Sequence, residues 1–79
     1  MSDEVITVYT SDDCIESQQM IRYLDELGIV YIEKSVSEDR RNLKQLQAKN
    51  IYSTPALIYG DKIVLGFLKD KIDRLIKKA

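Results

Sequence analysis

Histidine is absent from the 79-residue sequence. That excludes a His-based catalytic triad, an imidazole metal ligand and an imidazole pH switch. Cysteine occurs once, at Cys14, so no internal disulfide can form. A small chain without that staple points to a reducing, cytoplasmic setting. The three glycines, Gly28, Gly60 and Gly66, are too few and too scattered for a phosphate-cradling loop. Proline occurs once, at Pro55. Apolar runs stop at about 4 residues, far below the roughly 20 of a membrane helix. Asp3 and Glu4 stand where a signal peptide would be basic, so no targeting segment is expected.

What is present is the composition of a globular domain. The chain is 44% hydrophobic and 32% charged, which fits one folded domain over residues 1–79 rather than a disordered segment. The formal net charge of −1 does not favour nucleic acid. The charge is uneven, however. Acids dominate up to Asp39, and Arg40, Arg41, Lys44, Lys49, Lys62, Lys69, Lys71, Arg74, Lys77 and Lys78 dominate after it. The main reading of that basic half is a solvated helical surface; the sharper one is an anion- or partner-binding face. The pairs Asp12-Asp13, Asp25-Glu26 and Glu38-Asp39 read as helix-end residues rather than as ligands of a hard cation, and no metal is expected.

Hydrophobic periodicity orders the elements. Val5 to Tyr9 is β-branched and aromatic and reads as a buried strand. From Cys14 to Gly28, Met20, Ile21, Leu24 and Leu27 form a helical stripe, with Asp12 or Asp13 as the cap and Gly28 at the C-terminal end. Ile29 to Ser35 reads as a second strand, alternating through Val30, Ile32 and Val36. A helix over Ser37 to Asn50 follows, capped by Ser37, with Leu43 and Leu46 inward. Ala56 to Tyr59 and Lys62 to Leu65 are strands joined by Gly60-Asp61, although Asp-Gly would be the stronger turn order. Lys69 to Lys78 closes the chain as a helix with Ile72, Leu75 and Ile76 inward. The order is βαβαββα, an α/β class with two helices on one face of a small mixed sheet and one on the other.

Cys14 follows the first strand directly, at the start of the first helix. Unsatisfied amides and the helix dipole stabilise a thiolate at such a place, and the thiolate is the nucleophile of disulfide exchange. Ser17, three residues on, is either a solvated hydroxyl or a donor to the Cys14 sulfur. Tyr9 ends the first strand near Cys14 and has two readings, lining the site or packing in the core.

The segments VYTSDDCIES, STPALIYG and LGFLKDKI together resemble the glutaredoxin branch of the thioredoxin superfamily, in the flavour of the small ribonucleotide-reductase-associated redoxins. The resemblance runs from Val5 to about Ile76. It implies a four-stranded sheet in the order 2-1-3-4. It also implies a thiol–disulfide oxidoreductase with Cys14 as nucleophile and Ser17 in place of the second, resolving cysteine. Pro55 would be a cis-proline, with Thr54 before it offering backbone to an extended substrate. Gly66 and Phe67 would lie near the bound thiol. Ser11 and Asp12 stand where that family commonly has lysine and proline, and Asp12, Asp13 and Glu16 are expected to oppose the thiolate by like charge. The segment Cys14-Ile15-Glu16-Ser17 does not match the Cys-Gly-Phe-Ser of the iron–sulfur monothiol class.

The function expected is therefore monothiol exchange of glutathione or another small thiol with mixed disulfides through Cys14. Glutathione is a co-substrate in this reading, and no resident cofactor is expected. The protein partner would be a mixed disulfide or a ribonucleotide reductase, with neither membrane nor nucleic acid involved and the chain a monomer. A redox-inactive, regulatory binding protein of the same fold is the second reading, and an iron–sulfur carrier the third.

Overall fold

One row of backbone partners runs across the sheet and positions everything that matters for function: Tyr9 pairs with Ala56, and Ala56 with Leu65. The structure is a computed structural model that describes residues 5–77. Its elements are β1 (Ile6–Thr10), α1 (Ile15–Glu26), β2 (Tyr31–Ser35), α2 (Arg40–Ala48), β3 (Ala56–Tyr59), β4 (Lys62–Leu65) and α3 (Lys69–Lys77). The sheet order is β2-β1-β3-β4, with β1 parallel to β2 and antiparallel to β3, and β3 antiparallel to β4. The fold is thioredoxin-like, as the residue pattern and the resemblance lead one to expect.

Strand alternation splits the core in two. On one face Ile6, Val8, Leu57 and Val64 meet Met20 and Leu24 of α1 and Ile72 and Leu75 of α3. On the other, Tyr9 and Ala56 meet Leu46 of α2 and Ile51. The larger core thus lies under two helices and the smaller under one.

Several local expectations are corrected. Neither Asp12 nor Asp13 caps α1; they occupy a turn, and Cys14 itself is the N-cap residue, extended at φ −110° and ψ 109°, with no side-chain cap bond. At the other end Gly28 takes φ +69°, and its N–H reaches the Asp25 carbonyl at 3.0 Å while that of Ile29 reaches Leu24 at 3.0 Å. Leu27 is the C-cap and lies past the last buried turn, so it is exposed rather than part of the inner stripe. In β2 the alternation has the opposite phase from that expected. Tyr31 pairs with Ile6 and shares its face, which turns Ile32 toward the α2 side, where it is half exposed, and Val30 precedes the strand in solvent. Register, set by the neighbouring strand, decides the phase here.

Helix α2 begins three residues later than Ser37. Its cap is Asp39, which accepts the Arg41 N–H at 2.9 Å and pairs with the Arg41 guanidinium. The Ser37 hydroxyl instead accepts from the Asp12 N–H at 3.0 Å, tying this loop to the one before α1. Leu46 is buried, but Leu43 is on the exposed flank. The β3–β4 turn needs its glycine first: Gly60 has φ +61° and Asp61 does not have positive φ, the pattern of a II′ turn, in which Gly-Asp suits better than Asp-Gly.

Leu46 is the largest fully buried side chain of the smaller core, at 1% exposure, whereas Val30 is 82% exposed. Leu46→Ala should therefore lower unfolding free energy by about 2–5 kcal/mol. Val30→Ser should change it by no more than about 0.5 kcal/mol. Urea titration of both variants checks this, and equal midpoints would remove α2 as a cover of the sheet.

Candidate active site

The chain leaves β1 at Thr10 and turns through Ser11, Asp12 and Asp13 into α1. This short loop is pinned. The Val36 N–H donates to the Thr10 carbonyl at 2.8 Å, and the Cys14 N–H to the Ser11 carbonyl at 3.3 Å. Ser17 is 2% exposed and accepts the Ser11 N–H on its hydroxyl at 3.4 Å. Ser17 is therefore a buried brace of the loop, not a solvated hydroxyl.

Cys14 is half-buried, and its Sγ donates to the Thr54 carbonyl at 3.4 Å. The Thr54–Pro55 peptide bond is cis. The hydroxyls of Ser11 and Thr54 lie 2.9 Å apart, a second link between the Cys14 loop and the segment entering β3. Burial pushes the Cys14 thiol up, but the Ser17 hydroxyl and amide, the Thr54 side chain and the Glu16 amide together hold it below its ordinary value. The expected opposition from Asp12, Asp13 and Glu16 is absent from the groups that move this thiol. Asp12 and Asp13 face solvent, where charge is screened, and the Glu16 carboxylate is engaged elsewhere.

That engagement closes the third side. Glu16 Oε1 accepts the Phe67 N–H at 3.0 Å, across 51 positions of sequence. Gly66 donates its N–H to the Pro55 carbonyl at 2.8 Å. Its φ of +83° favours glycine, and a Cβ there would stand 3.3 Å from Glu16 Oε1. The Phe67 ring meets Tyr23 edge-on, with centroids 5.7 Å apart, and packs against the larger core. Lys69 Nζ lies 5.3 Å from the Tyr23 ring centroid and 6.0 Å from that of Phe67. Tyr23 donates its hydroxyl to Asp73.

Of the residues singled out in the sequence, Cys14, Ser17, Thr54 and Pro55 come together, and Gly66 and Phe67 join them through Pro55 and Glu16. Tyr9 does not: its ring is buried in the smaller core and its hydroxyl donates to Gln45 at 3.0 Å, which corrects its reading as a lining residue. Ser11 and Glu16 were missed as structural parts. Both act through partners more than 40 positions away, and no local pattern signals such a bond.

A groove of about 540 Å³ runs from Ser11 and Ser17 along α1 and, among the described residues, carries Asp12, Asp25, Glu26 and Glu33 against the single cation Arg22.

The glutaredoxin family model matches residues 6–64. The chain belongs to the glutaredoxin family. It is 30% identical over 70 residues to the glutaredoxin-like protein NrdH of Escherichia coli, covering 89% of this chain and 86% of that one. An uncharacterised glutaredoxin-like 8.6 kDa protein in a rubredoxin operon of Clostridium pasteurianum is 25% identical over 75 residues, covering 94% and 100%. The solved structure of Escherichia coli NrdH-redoxin matches with a TM-score of 0.80 at 30% identity, over 89% of this chain and 92% of the other. A glutaredoxin of Archaeoglobus fulgidus shares the fold, with a TM-score of 0.78 at 23% identity over 95% and 88% of the two chains. With its one cysteine, this member of the glutaredoxin family is a thiol–disulfide oxidoreductase of monothiol type. Among the described residues, no helix is long and apolar enough to cross a membrane.

A lowered thiol pKa means more thiolate at neutral pH, so the alkylation rate of Cys14 should reach half its plateau at a lower pH than that of an ordinary free thiol. Ser17→Ala should move that midpoint up and slow alkylation at pH 7. Asp13→Asn should leave the profile where it is. A faster Asp13→Asn variant would restore the like-charge effect that the geometry removes.

Proposed function

We propose that Cys14 exchanges glutathione, or a similar small thiol, with mixed disulfides. The Cys14 thiolate attacks the glutathione sulfur of the mixed disulfide, and the disulfide bond breaks to release the substrate thiolate, which takes a proton from water. The Cys14–glutathione disulfide formed is then attacked by a second glutathione thiolate. Oxidised glutathione leaves and Cys14 is free again. Overall the mixed disulfide and one free glutathione become the substrate thiol and oxidised glutathione, half of which came from the mixed disulfide.

The observation that carries this reading is the setting of the one sulfur. Cys14 sits at a helix start with its thiol against the carbonyl that precedes a cis-proline, and the buried Ser17 stands where the resemblance would place a second thiol. In this reading Cys14 is the catalytic residue and Ser17 a positioning residue that favours the thiolate. The Thr54 backbone aligns the extended substrate beside Pro55, and Gly66 and Phe67 bound the pocket. The glutathione carboxylates call for a cation, and Lys69 stands beside Phe67. Lys71 instead lines a cleft elsewhere, and Lys49 is the C-cap of α2. A monomer working among cytoplasmic thiols fits the absence of a second cysteine. A ribonucleotide reductase disulfide is the protein substrate suggested by the resemblance.

The acidic groove beside the site favours a second reading, a regulatory binding protein with little turnover, because four carboxylates repel an anionic co-substrate. The same groove, if turnover occurs, predicts a high KM for glutathione rather than a slow chemical step.

The test uses a glutathionylated peptide with excess glutathione. Intact mass should show one glutathione on the parent chain under limiting reductant, and none on Cys14→Ser, which should be inactive. Ser17→Ala loses about one hydrogen bond of roughly 1 kcal/mol and should keep about a fifth of the rate. A parent that never carries the adduct would leave the binding reading in its place.

A further inference from the structure

Among the described residues, the basic half of the chain takes no part in the site around Cys14 apart from Lys69, yet three of its cations converge. The strand β4 is last in the sheet, and α3 packs beside it. Between them lies a cleft of about 390 Å³, lined by Tyr59, Lys62, Ile63, Lys71, Arg74 and Leu75 among others. Among the described residues, Asp61 is its one acid. Among the described residues, none of the three cations has a carboxylate within ion-pair distance; the ion pair found is that of Arg41 with Asp39.

The backbone beside this cleft is also open. Tyr59 and Lys62 flank a two-residue turn, so they exchange both hydrogen bonds, and Val64 does the same with Leu57. The alternate residues, Ile63 and Leu65, direct their N–H and C=O groups to the free edge. Lys62 and Val64 share the α3 face of the sheet, while Ile63 and Leu65 lie on the opposite face and are 47% and 45% exposed. An extended segment added to β4 would place alternate side chains on these two faces. One set would meet Lys62, Lys71 and Arg74, and the other would meet Ile63 and Leu65.

We propose that the β4 edge and the cleft beside α3 form a docking surface for an extended polypeptide whose acidic residues alternate with apolar ones. Charge complementarity selects the acidic set. The same charge argues against a second copy of this chain, since edge-to-edge pairing of β4 would gather six cations. A free phosphate would satisfy the cations but would leave the strand edge and the two exposed apolar residues without a partner. This surface is independent of Cys14, and its failure would leave the exchange reaction untouched.

The test is a nitrogen-15 NMR titration of the full chain with a blocked synthetic peptide of alternating glutamate and valine. The amides of Ile63, Leu65, Lys71 and Arg74 should shift, and raising salt from about 50 to 500 mM should weaken binding about tenfold or more, because screening shortens from roughly 14 to 4 Å. Lys71→Glu with Arg74→Glu should weaken it at least as much, and the milder Lys71→Gln with Arg74→Gln should lie between. An unchanged Cys14 alkylation rate would show that both variants are folded. Any one of four results would overturn the proposal. A response of the α3 amides to pyrophosphate alone, with Ile63 and Leu65 silent under peptide, would reduce the surface to an anion site. A concentration-dependent dimer that protects the Ile63 and Leu65 amides without peptide would assign the edge to self-association. No response to the acidic peptide, or an equal response to one alternating lysine and valine, would leave this face a solvated surface.

Discussion

The candidate site depends on the antiparallel pairing of β1 with β3. It sets the end of one strand against the beginning of the other, with Tyr9 opposite Ala56. The loop leaving β1 and the segment entering β3 therefore meet at the same end of the sheet, which brings the Cys14 thiol to the Thr54 carbonyl. The next pairing, Ala56 with Leu65, delivers Gly66 and Phe67 to that end as well. Three segments far apart in sequence are assembled by two ladders, and side chains add the final links: Ser11 and Cys14 to Thr54, and Glu16 to Phe67. Shifting either ladder by two residues would keep the apolar alternation and scatter the site.

Much of the fold was legible because its signals are local. The β-branched run of β1, the stripe of Met20 and Leu24, and the apolar spacing of Ile72 and Leu75 each identify an element without reference to its neighbours. What was not legible was decided between elements. The phase of β2 comes from Tyr31 lying beside Ile6, so the apolar Val30 and Ile32 are exposed although their composition suggests burial. The cap of α2 moved from Ser37 to Asp39 because the Ser37 hydroxyl is used by the loop before α1.

The site divides in the same way. Cys14 and Pro55 were recognisable from residue type, position and family resemblance. The electrostatic balance at the sulfur was not, since the sequence places three acids nearby without showing where they point. Glu16 is directed to the Phe67 amide, and Asp12 and Asp13 to solvent. Proximity along the chain overstated the repulsion. The groups that matter are short polar ones, above all Ser17, whose burial could be seen only once α1 lay against the sheet. Tyr9 shows the opposite error: it is adjacent to the loop in sequence but faces the α2 side of the sheet, where Gln45 takes its hydroxyl.

The buried serine at position 17 has a further consequence for timing. A second thiol one helical turn from the first would be held at a fixed high effective concentration, and any adduct on Cys14 would be cleared on an internal clock. Here there is no internal clock. The lifetime of an adduct on Cys14 is inversely proportional to the amount of free thiol outside the protein, so the fraction of chains carrying one reads out the surrounding thiol pool.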